Sequence, residues 1–223
     1  MLLKLFTILS TGFLLGVQHS LDADHIAAVS TIVSKTKNLK KSAQVGVYWG
    51  IGHTATLLVI GVLVLALKIK IPGSVSRMFE FAVGAMLIYL GAGLLKSVLV
   101  GRIHIHRHKH GQVEHVHLHS HKWGAEHEHV HKPLLVGMLH GLAGSAGIMI
   151  LIMASLDSIA QGVMCTLIFG LGSILGMVVS GAVVGLPFLL TANNTKITQI
   201  CMMLVAFVSM GIGANILHEN WIF

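Results

Sequence analysis

Six long apolar stretches alternate with shorter polar ones along the chain. They run near residues 4–33, 43–67, 78–100, 133–155, 159–190 and 197–218. Each is long enough to cross about 30 Å of hydrocarbon as a helix. The first is over-long for a straight span and carries a polar interruption, so a broken or tilted helix is expected there. Lys4 followed by an apolar run invites comparison with a secretion signal. No small-residue cleavage site ends that run, however, and it reads as a membrane helix. The pattern predicts an all-α integral membrane protein of six transmembrane helices in three parts: a three-helix unit over 1–100, a polar connection over 101–132 and a second three-helix unit over 133–223.

The two units repeat each other. Leu15-Gly-Val-Gln-His19-Ser-Leu21 aligns with Val136-Gly-Met-Leu-His140-Gly-Leu142. Trp49-Gly-Ile-Gly-His53 aligns with Phe169-Gly-Leu-Gly-Ser173, and Gly91-Ala-Gly93 with Gly211-Ile-Gly213. Three spans per unit is an odd number, so the units must insert with opposite orientation. The expectation is a 3+3 inverted repeat, with its site near the midplane where the repeats meet.

The interruption in the first stretch reads Gln18-His19-Ser20-Leu21-Asp22-Ala23-Asp24-His25-Ile26. It places two carboxylates and two imidazoles in an apolar segment, where each acid costs about 2.5–3.5 kcal/mol at the helix centre. Lys4 and Lys35 lie only at the segment's ends, so a metal ion is the simplest compensating cation. Imidazole and carboxylate together suit Ni, Co, Zn, Mn or Fe. At about 100° per residue, His19, Asp22 and His25 share an arc of about 120° on an unbroken helix. Asp24 then points away unless the helix unwinds. The bland alternative is a hydrated polar helix end. In the repeat, Asp22, Asp24, His25 and His53 face Ala143, Ser145, Ala146 and Ser173, and only His19 and His140 match. That asymmetry argues for one site built mainly from the first unit.

His53, in Gly50-Ile-Gly-His-Thr-Ala-Thr56, and His140, opening His140-Gly-Leu-Ala-Gly-Ser145, are further candidates for ligand or pathway residues. Asp157 reads as a helix cap, Glu80 as interfacial, and Met138, Met149, Met153, Met202, Met203 and Met210 as core filling. The 101–132 connection holds His104, His106, His108, His110, His115, His117, His119, His121, His127, His129 and His131, largely in alternation. Such a tract is a compositional metal-binding signal, and strand-like alternation would place each run on one face. It reads as an accessory metal-binding loop, with a solvated linker as the plain alternative.

Composition agrees with the pattern. The chain is 54% hydrophobic and 10% charged, with a mean hydropathy of +0.82; an average soluble domain is about 25% charged. The net charge of +7 is then a topology signal, not one for nucleic acid. Eleven positive charges flank the 34–42, 101–132 and 191–196 connections, against four on the other side. This predicts a cytoplasmic-membrane protein with both termini outside and the His-rich loop inside, with Trp221 as an interfacial anchor. No phosphate-binding Gly-x-x-x-x-Gly-Lys-Ser/Thr and no metalloprotease His-Glu-x-x-His occurs. Cys165 and Cys201 both lie in the second unit and read as small apolar residues, not as the matched pair a membrane thiol-disulfide electron carrier needs.

The His19-x-x-Asp22-Ala-Asp24-His25-Ile stretch resembles the signature of the nickel/cobalt transporter (NiCoT) family, a histidine, four residues, then Asp-His. His53 resembles that family's Gly-His-Ser/Thr motif. The likeness covers essentially the whole chain and is strongest at 12–34 and 46–56. It is nearest the short, urease-operon branch of nickel permeases, which has six spans where typical members have eight. The resemblance implies a permease, not an enzyme, that moves Ni²⁺ or Co²⁺ across the cytoplasmic membrane, inward, with His19, Asp22, Asp24, His25 and His53 in its metal motifs; His140 joins them from the reading of the residues above. It implies no permanently bound cofactor and, as partners, the lipid bilayer and metallochaperones of urease or hydrogenase maturation. Export by a relative of the same superfamily is the alternative direction.

Overall fold

The computed structural model describes residues 2–67, 71–100, 104–110, 113–119, 131–143 and 158–221. Seven helices lie among them: α1 Leu2–His19, α2 Ala23–Val33, α3 Leu39–Leu67, α4 Gly73–Leu99, α5 His131–His140, α6 Ile159–Leu190 and α7 Thr195–Glu219. Among the described residues, four segments are long and apolar enough to cross a membrane: Leu39–Val64, Gly73–Leu99, Ala160–Leu190 and Thr195–Glu219. The chain is a multi-pass helical membrane protein. Its large exposed side chains fit that setting, with Tyr89, Leu190, Leu63, Val183 and Phe207 all turned outward, because lipid is as apolar as the core.

The first apolar stretch is broken. α1 stops at His19 and α2 starts at Ala23, with a turn closed by Leu21 N–H to Gln18 C=O at 2.9 Å and Asp22 N–H to His19 C=O at 3.1 Å. Ser20 helps to end α1, because its hydroxyl donates to the Val17 carbonyl at 2.6 Å and so competes with the helix ladder. The end of α5 repeats this turn. Leu142 N–H donates to Leu139 C=O and Ala143 N–H to His140 C=O, both at 3.2 Å. The rest of the stretch expected to span 133–155, from residue 144 on, lies outside the described residues, as does Asp157; the residue that caps α6 is Ser158, whose hydroxyl accepts from Gln161 N–H at 3.3 Å.

Glycines set the packing, and they do so twice. A Cβ on Gly16 would strike the Phe169 carbonyl and one on Gly172 the Phe13 carbonyl, so α1 and α6 touch backbone to backbone. Equivalent contacts join α5 and α3, with Gly137 against the Trp49 carbonyl and Gly52 against the Leu134 carbonyl. These four glycines are the positions that the internal alignment pairs, Gly16 with Gly137 and Gly172 with Gly52. At the centre lies α2, where Ala28, Val29 and Val33 are fully buried. It packs against Val45 and Trp49 of α3, Val83, Met86 and Leu87 of α4 and Met177 of α6. A helix of 11 residues extends about 16 Å, half a bilayer, so α2 is a half-helix held inside a ring of longer ones.

Three basic connections meet at one end of the bundle. The Lys35 ammonium donates to the Ser97 hydroxyl at 3.4 Å and that of Lys37 to the Ala192 carbonyl at 2.9 Å. Burial, and after it the charge of Lys132 at the start of α5, holds the Lys35 amine below the usual lysine value; burial does the same to Lys37. α5 therefore enters the bundle from the end where α2 leaves it, opposite the end where α1 begins.

Among the described residues, the one departure from helices and their turns is in the His-rich connection. Its backbone forms an antiparallel hairpin of β1 His104–His110 and β2 Val113–His119, in a register that pairs His104 with His119, His106 with His117 and His108 with His115. His121, His127 and His129 lie outside the described residues, and His131 is the first residue of α5.

Candidate metal centre

The broken helix and the two backbone-packed helix pairs bring five of the six sequence-predicted site residues together. His19 ends α1, Asp24 and His25 stand in the first turn of α2, His53 lies midway along α3 and His140 ends α5. His25, His53 and His140 are 1%, 0% and 2% exposed. Ring centroids are 4.5 Å apart for His19 and His25, 5.2 Å for His19 and His53, 5.4 Å for His25 and His53, and 4.0 Å for His25 and His140. Nitrogen and oxygen donors fall into two sets, His19/His25/His53 and Asp24/His25/His140, with the atoms of each set within 4.8 Å of one another. Bonds near 2.0–2.1 Å to one ion need donors no more than about 4.2 Å apart, a small contraction from here.

The aspartates divide differently from the helical-wheel expectation. The break rotates α2 relative to α1, so Asp24, which an unbroken helix turns away, lies between two rings. One of its carboxylate oxygens accepts from the backbone N–H of His25 at 2.8 Å and sits 3.0 Å from His25 Nδ1, and the other sits 2.9 Å from His140 Nε2. Asp22 is at the N-cap of α2 but caps nothing with its side chain. It is 53% exposed, and its carboxylate meets His19 Nδ1 at 2.8 Å. Among the described residues these carboxylates have only histidines as ionic partners.

This hydrogen bonding decides which nitrogens stay free. With Nδ1 of His19 on Asp22 and Nδ1 of His25 on Asp24, the Nε2 atoms of both rings are buried without a partner, and so are both nitrogens of His53 and Nδ1 of His140. Orphaned buried polar atoms are rare, and here several converge in one place. A carboxylate on one imidazole nitrogen, leaving the other to a metal, is the usual outer-shell arrangement of histidine ligands. The donor set is imidazole-rich, thiolate-free and apolar-walled, which suits a borderline divalent ion.

The wall of the site includes two aromatic residues outside the ligand motifs. Trp49 is fully buried, its ring 5.5 Å from His140 and 6.3 Å from His25, and its indole N–H is also without a partner. Phe169 lies 5.6 Å from His19. Trp49 and Phe169 occupy equivalent places in the internal alignment, so the alignment carried the signal: each of the two sets its aromatic ring against a central histidine. Cys165 and Cys201 are free thiols, one buried and one half-buried, on α6 and α7.

Comparison with known proteins places the chain. It is 36% identical over 215 residues, 96% of this chain and 92% of the relative, to the urease accessory protein UreH of Bacillus sp. (strain TB-90). It is 26% identical over 210 residues to the Arabidopsis thaliana Chloroplast protein FOR GROWTH AND FERTILITY 1, covering 92% of this chain and 57% of that protein. No solved structure matches the chain. Residues 7–214 match the family described as the cytochrome c biogenesis protein transmembrane region, and the chain belongs to that membrane family, as a homologue of UreH.

Proposed function

We propose that this protein is a secondary permease for Ni²⁺, with Co²⁺ accepted by the same ligands, carrying the ion inward across the cytoplasmic membrane. The carrying observation is the cluster of four imidazoles and a carboxylate at a helix break, with five of its eight ring nitrogens buried and unpartnered. The relative named as a urease accessory protein supports nickel as cargo and the likeness to the short NiCoT branch. His19, His25 and His53 would take the place of the hydration shell, with Asp22 and Asp24 orienting the first two. The duplicated glycine packing and the matched turns after His19 and His140 support a 3+3 inverted repeat whose halves enter from opposite faces. The positive connections at one end support that end as cytoplasmic, with both termini outside. A divalent ion then gains about 4.6 kcal/mol per 100 mV on moving inward, twice the single-charge value, so no ATP is needed.

One other reading is the membrane thiol-disulfide carrier weighed against the cysteines of the sequence. The central repeated position is histidine in both halves, and both cysteines lie in the second half, which favours the metal reading. The test is nickel content of whole cells at nanomolar Ni²⁺, with and without the protein. Accumulation supports import, depletion means export, and no change in either direction rejects metal transport.

A further inference from the structure

The centre holds two donor sets, not one, and they share His25. Each set contains one of the two histidines that the internal repeat matches, His19 at the end of α1 and His140 at the end of α5. Those helices enter from opposite ends of the bundle, α5 from the Lys35–Lys132 end and α1 from the other. His25 stands between, 4.5 Å from His19 and 4.0 Å from His140 by ring centroid. Its Nδ1 meets the carboxylate that also holds His140, while its Nε2 is free.

Resting on the permease reading, we infer that the transported ion occupies two successive positions, His19/His25/His53 and then Asp24/His25/His140, with His25 as the shared ligand that passes it from one half of the protein to the other. A neutral imidazole has one nitrogen free for a metal, and His25 would serve the first position through Nε2 and the second through Nδ1. The positions are therefore exclusive, and one ion is present at a time. Passing the ion moves the ring proton from Nδ1 to Nε2 with no net proton gained or lost. The second position offers a carboxylate ligand where the first offers only neutral rings, so the dication meets its compensating charge as it advances. His140 is then needed for passage but not for the first capture.

The test uses purified full-length protein in detergent and the same protein in liposomes, with Ni²⁺ alone as the probe. Binding is read by equilibrium dialysis and transport by uptake into the liposomes. The His53→Ala protein should bind at least about tenfold more weakly than wild type, as expected for loss of a ligand or its support. His140→Ala should still bind one Ni²⁺ within about threefold of wild-type affinity, yet transport at least about tenfold more slowly. His140→Gln, which fills the space better, should behave like His140→Ala and guards against collapse of the packing. Equal loss of binding in the His53 and His140 variants would show a single position and overturn the inference, as would wild-type transport by either His140 variant. Failure of the wild-type protein to bind Ni²⁺ at all would sink the permease reading and this one with it.

Discussion

At the scale of single residues, the chain's chemistry follows from where two aspartates can find a partner. Asp22 orients one ring from the exposed side, whereas Asp24 holds two rings from within. Replacing either by asparagine keeps its shape and removes its charge. Outer-shell changes of this kind cost about 10- to 100-fold in metal affinity. Asp22→Asn should fall near the lower figure and Asp24→Asn near the upper one, by equilibrium dialysis with Ni²⁺. The reverse order would mean that Asp22 contributes more to the site than Asp24 does and would contradict this division of roles. His19, Asp24, His25, His53 and His140 were all legible in sequence, because ionisable groups in apolar spans stand out. The inward turn of Asp24 was not, because it depends on a change of helix direction that a single 100° period cannot represent. Trp49 and Phe169 were missed as site walls for the opposite reason: aromatic residues in apolar helices carry no contrast.

At the scale of elements, backbone contact through glycine fastens α1 to α6 and α5 to α3. Gly172→Val would drive a branched side chain into the Phe13 carbonyl of α1, an overpacking that costs typically about 1–3 kcal/mol. Gly93, with nothing near its Cβ position, should accept alanine with a gain of up to about 1 kcal/mol from helix propensity. Thermal unfolding in detergent should show a lower midpoint for the first variant and an equal or higher one for the second. A tolerated Gly172→Val would mean that α1 and α6 do not pack this closely. The break in the first apolar stretch was readable, since a run over 4–33 is too long and too polar at its middle for one straight span. The hairpin of the His-rich connection was visible only as alternation; its register, pairing His106 with His117, depends on how the two strands meet and not on either strand alone.

At the scale of the molecule, the account rests on two halves sharing one basic end. Lys35 after α2 and Lys132 at the head of α5 are distant in sequence but close enough for the second to lower the first. The sign is fixed: a cation nearby disfavours the ammonium, so Lys132→Gln should raise the Lys35 value. At alkaline pH this leaves less free amine and slows acylation of Lys35, measured by mass spectrometry; an unchanged rate would separate the two loops. Cysteines placed at residue 74 and at either terminus should react with impermeant reagents in intact cells, and one at residue 115 should not. Three short alignments in the sequence pointed to a repeat, but which glycines touch which carbonyls was not legible, since a packing partner is a property of the folded pair.

The central claim is that the buried histidine cluster carries Ni²⁺ across the membrane, and radioactive nickel uptake tests it most directly. Cells making wild-type protein and cells making His25→Ala, at matched membrane levels, are compared at nanomolar Ni²⁺. His25 belongs to both donor sets, so its loss should bring uptake down to that of cells lacking the protein. Uptake by His25→Ala equal to that of the wild type would place the transport path elsewhere and contradict the account.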